Sequence, residues 1–197
     1  MSTIRCTHRT VVKDGDQLRS VLSRLTELCG PPEEAELFQE LFLFTPLCDA
    51  NNMNLIKREI KVEIKYKASV PRVCQISHSG APLEKFPQAA TVTETEASAN
   101  VRRTFLKAGF LVKADHAQKG LLFKTRNNQK IALTRPYNAT LRTEALYQTG
   151  AAAWDALPGA FPFGSDYLLE ITQNTGSEAT VQVIIQGLKA LVDKLKE

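Results

Sequence analysis

The stretch VRRTFLKAGFLVKADHAQKGLLFKTRNNQKIALTR, residues Val101 to Arg135, decides the fold. Its opening predicts a short helix. Ser98 can cap it, and Val101, Phe105, Leu106 and Ala108 recur at helical spacing to give it an inward face. Gly109 stands where a left-handed residue ends a helix without a Cβ penalty. Three apolar-rich segments follow, at 110–114, 120–124 and 130–134. Gln118-Lys119-Gly120 and Arg126-Asn127-Asn128-Gln129 read as the punctuation between them. The stretch is a helix followed by an antiparallel meander.

Upstream, residues 4–12 alternate as a strand, and Asp14-Gly15 turns the chain. Asp16 is placed to cap a helix over 17–29 whose stripe is Leu18, Val21, Leu22, Leu25 and Leu28; Gly30-Pro31-Pro32 stops it. A solitary amphipathic helix of this kind is expected to lie against a sheet. Residues 36–44 read as a Leu- and Phe-rich strand. In the next strand Ile60, Val62, Ile64 and Tyr66 alternate with Lys61, Glu63, Lys65 and Lys67, so the charged face meets either solvent or a polar lumen. A return strand spans 72–77 after a break at Val70-Pro71, Ser79-Gly80-Ala81-Pro82 is expected to turn, and the Thr-rich segment 88–95 is expected at a sheet edge.

Downstream, about 138–165 reads as an inserted aromatic loop carrying Trp154, Phe161 and Phe163. A last strand at 167–173 precedes a C-terminal helix at about 178–196 with Val181, Ile184, Ile185, Leu188, Leu191, Val192 and Leu195 on a broad apolar face. Mostly consecutive strands with about three flanking helices predict an α+β chain built on a multistranded antiparallel β-barrel. The 197 residues, 43% of them hydrophobic, suffice for one domain with a sizeable core. No apolar run is long enough for a membrane-spanning helix. Cys6, Cys29, Cys48 and Cys74 lack disulfide-framework spacing and read as reduced thiols, which suits cytosol or nucleus.

The net charge of +4 hides a lopsided distribution. Residues 25–56 hold Glu27, Glu33, Glu34, Glu36, Glu40 and Asp49 and no Lys or Arg, whereas 101–135 is basic with Asp115 its one acid. Partner surfaces are one reading; solvated faces are the plainer one. The helix closing on Ala-Gly-Phe, then Asp115-His116, then Lys119-Gly120-Leu121-Leu122-Phe123-Lys124, resembles the Mediator complex subunit 18 family, as does Tyr167-Leu168-Leu169-Glu170 opening a strand before a final helix. The resemblance implies an antiparallel barrel shaped like the tunnel of RNA triphosphatases. It also implies a non-enzymatic role in a nuclear coactivator: a head-module subunit that pairs with the related-fold Mediator subunit 20, captures a C-terminal helix of Mediator subunit 8, and links regulators to RNA polymerase II.

The alternative is a tunnel-type RNA 5′-triphosphatase or polyphosphate hydrolase. Such enzymes place acids at alternate strand positions, Glu-x-Glu-x-Lys, to hold a divalent metal. Here Glu59 and Glu63 stand four apart with Lys61 between them, and the first strand has no acid, so no catalytic residue, metal or cofactor is assigned. Cys6 with His8 and Cys74 with His78 lack zinc-ligand spacing. His116 reads as a hydrogen-bonded turn residue. Phe105, Phe110 and Phe123 fall on apolar positions, which argues for core over nucleic-acid stacking. Trp154, Phe161 and Phe163 are the candidate partner-binding residues, with closure of a barrel end as the competing reading.

Overall fold

Strand β1 (Ser2–Val12) sits between two partners distant in sequence, β5 (Phe86–Ala97) and β9 (Tyr167–Thr175), antiparallel to both. In this computed structural model the described residues are 2–44, 58–67, 70–97, 101–108, 111–138, 161–162 and 164–197. The remaining strands are β2 (Glu33–Phe44), β3 (Arg58–Lys67), β4 (Val70–Leu83), β6 (Leu111–Lys124), β7 (Lys130–Asn138) and the two-residue β8 (Phe161–Pro162). Their order is β6-β2-β3-β4-β5-β1-β9-β7-β8, and β6 also pairs with β7. That last pairing closes the ring, with β8 appended at the far end of β7. The chain is an α+β antiparallel barrel.

Helix α1 (Asp16–Cys29) begins one residue earlier than the sequence predicts. Gly15 adopts φ 94°, a conformation open to glycine, so it takes the cap position and Asp16 becomes the first helical residue. Asp16 forms an exposed ion pair with Arg19, and the Lys13 N–H donates back to Gln17 Oε1 at 2.7 Å. Val21 and Leu25 of the expected stripe are buried, Leu18 and Leu22 pack at the margin, and Leu28 is 44% exposed. Helix α2 (Val101–Lys107) is shorter than expected, and Leu106 faces outward at 41% exposure beside a half-buried Phe105. Ser98 and Gly109 lie outside the described residues.

A single 3-10 turn, Glu178–Thr180, leads into helix α3 (Val181–Lys196). Its apolar face is as predicted, with Val181, Leu188, Val192 and Leu195 buried and Ile184, Ile185 and Leu191 packed against them. α3 lies across β1, β5 and β9, and α1 packs on α3, joined by Arg24 Nη1 donating to the Lys194 carbonyl at 2.5 Å. The solitary-helix expectation therefore gives way to a two-helix layer over one wall. Among the described residues no helix is long and apolar enough to cross a membrane.

Two expected interruptions are absent. β4 opens at Val70-Pro71, two residues before the predicted strand, and runs through Ser79–Pro82 with register shifts; its turn to β5 falls at Glu84-Lys85. β6 runs unbroken through Gln118–Gly120, so Asp115 and His116 sit within a strand, opposite Glu40 and Gln39, and not at a turn. β5 is no edge, since it pairs with β4 and β1. The Arg126–Gln129 turn is as predicted: Asn128 takes φ 64°, and Thr125 and Gln129 tie its ends together.

The main core lies between helices and barrel wall. Cys6, Val12, Ala89, Phe123, Ile131, Leu133, Leu169 and Ile171 meet Val21, Leu25 and the α3 face there. Burial pushes the Cys6 thiol up from its ordinary pKa, and that of Cys29 likewise. The unfolded chain therefore loses these protons first. The stability they contribute is complete below the ordinary thiol range and falls as pH rises through it. Iodoacetamide is expected to modify Cys6 only after denaturant is added, read by mass spectrometry of its peptide; native modification at the unfolded rate would show that β1 is not held under α3.

Candidate functional site

A closed ring has two faces, and register sorts every strand position between them. Cys6 and Val12 share the outer face with the helical layer. An eight-stranded barrel leaves room inside for side chains but not for a helix, so the opposite face is the lumen. On β1 that face is Thr3, Arg5, Thr7, Arg9 and Val11. The β-branched threonines suit the pleat, and the arginines between them reach neighbouring strands.

Cross-strand partners supply the counter-charges. Arg5 Nη2 lies 2.5 Å from Glu94 Oε1 of β5, and Arg5 Nε donates to Asn174 Oδ1 of β9 at 3.3 Å. Arg9 Nε donates to Glu170 Oε2 of β9 in a second ion pair. Farther round, Thr134 is 1% exposed, and its hydroxyl donates to Gln118 Oε1 at 2.9 Å; Val92 is buried on the same face. In β3, Lys61, Glu63 and Lys65 pair by backbone with Ser77, Gln75 and Val73 of β4.

The expected absence of an acid pair on β1 stands as a sequence fact, and arginines occupy that wall. Among the described residues no group of three or more His, Cys, Asp or Glu is placed to hold a metal. Glu94 and Glu170 each face an arginine. What the wall offers chemically is directed N–H and O–H groups.

Outside, the two charged blocks of the sequence prove to be neighbours. The acidic β2 pairs with the basic β6, Glu36 opposite Lys119 and Glu34 opposite Leu121. Opposite-sign strands side by side offset one another and weaken any case for a polyanion-binding stripe. Phe123 is core, as predicted, so it is no stacking platform; Phe110 lies outside the described residues. Arg135 is engaged, its Nε donating to the Gly164 carbonyl at 3.0 Å and its guanidinium 5.7 Å from the Tyr167 ring centre.

Of the candidate partner-binding residues, Phe161 opens β8 opposite Asn138, while Trp154 and Phe163 lie outside the described residues. A shallow groove of about 500 Å³ runs between α1 and α3, lined by Arg24, Glu27, Leu28, Leu191, Lys194 and Leu195. The lumen wall of Arg5, Arg9, Glu94 and Glu170 was missed by sequence reasoning. The Arg-x-Thr-x-Arg alternation opposite Cys6 and Val12 was the available signal.

No protein-family model matches the chain, and no curated protein sequence matches it. Among solved structures, a chain of the Schizosaccharomyces pombe Mediator head module is similar with a TM-score of 0.66 and 10% identity, over 100% of this chain and 97% of that one. The PH1819 protein of Pyrococcus horikoshii follows at 0.61 and 11% identity, covering 96% of this chain and 89% of its own. A Vibrio parahaemolyticus protein provisionally named an adenylate cyclase gives 0.58 and 12% identity, over 96% and 88%. At these identities the likeness is one of fold.

Proposed function

We propose that this chain is a non-enzymatic scaffold subunit of a nuclear Mediator-type coactivator, of the subunit 18 kind. The single observation that carries the reading is its end-to-end likeness to a chain of the fission-yeast Mediator head module, at 100% and 97% coverage. The motif order from Ala108 to Lys124 supports it independently, as does the occupation of the first lumen strand by arginines where a metal-dependent tunnel enzyme needs acids. Its partners are then the related-fold subunit 20 and a C-terminal helix of subunit 8, with RNA polymerase II reached indirectly. Trp154, Phe161 and Phe163 are the proposed partner contacts.

Affinity purification of the tagged chain from native nuclear extract tests this. Co-purification of the other head-module subunits at fixed stoichiometry is expected, and their consistent absence overturns the assignment. Trp154→Ala and Phe163→Ala are expected to weaken capture of the paired subunit at least about tenfold while melting within about 2 °C of wild type, as contact residues at an interface centre do. A lowered melting temperature with unchanged capture would return these rings to the chain's own core. A second reading, hydrolysis of a triphosphate, draws on the charged lumen and the likeness to the Vibrio protein. Phosphate release from tripolyphosphate with manganese, abolished by Glu63→Ala, would favour it over the scaffold.

A further inference from the structure

We draw no further inference here: the strongest candidate, the shallow groove between α1 and α3 lined by Leu28, Leu191 and Leu195 with Arg24, Glu27 and Lys194, carries none because nothing in the structure shows what covers it.

Discussion

Leu25→Asp is expected to destabilise the chain by at least about 4 kcal/mol, lowering the melting temperature by roughly 8 °C or more. Leu25 is 0% exposed, in the layer where α1 meets α3 over the barrel wall. Truncating such a leucine to alanine alone costs about 2–5 kcal/mol, and aspartate adds a carboxylate with no partner in an apolar contact. Leu28→Asp is the internal control. It stands on the same helix and the same predicted stripe but at 44% exposure, and its change is expected to stay within about 0.5 kcal/mol. Urea melts followed by circular dichroism give both values. Equal, small losses would show that α1 does not seal this layer.

Gly120→Ala is expected to be almost as damaging, for a reason invisible in composition. A Cβ built on Gly120 comes 2.1 Å from the Leu133 carbonyl oxygen and 2.8 Å from Thr134 Cα. Both obstacles are backbone, so relief requires β7 itself to move. Overpacking against movable side chains costs about 1–3 kcal/mol, and the upper end or beyond is expected here. The sign is diagnostic. Replacing an unhindered glycine by alanine commonly stabilises by about 0.4–1 kcal/mol. Gly187→Ala, inside α3 with nothing within 4 Å of its would-be Cβ, should do so. Hydrogen exchange locates the damage, with faster exchange expected along β6 and β7. A stabilised Gly120→Ala would mean that the two strands do not approach as closely as described.

This glycine also shows why part of the fold was hard to read. Gly120 within Gln118–Gly120 looks like turn punctuation, because a glycine between apolar runs usually marks φ freedom. Here it marks a close approach between strands, a demand set by residues more than ten positions away. Ser79–Pro82 misled in the same manner, its breakers absorbed as a register shift. The Thr-rich β5 looked like an edge because polar alternation normally means water on one side. A polar lumen meets the same requirement, so a central strand can carry the same pattern. Where a single period dominates, reading succeeded: α1 and α3 each declare their buried face through residues a few positions apart. The candidate site was the opposite case. Arg5 and Arg9 gain meaning only beside Glu94, Glu170 and Asn174, partners that local spacing cannot supply.

The pairing of β1 with β9 carries a consequence in time. Arg5 and Asn174 are 169 residues apart along the chain. At about 5–20 residues per second, β9 emerges from the ribosome roughly 10–30 s after β1. Throughout that interval Ile4, Cys6 and Val12 have neither β9 nor the α3 face to cover them. Long-range closure of this kind is also intrinsically slow once synthesis ends. β5 can cover one edge of β1 once residue 97 is out, but its other edge and outer face wait for β9 and α3, so a holding chaperone that recognises extended apolar segments has a long opportunity at residues 2–12.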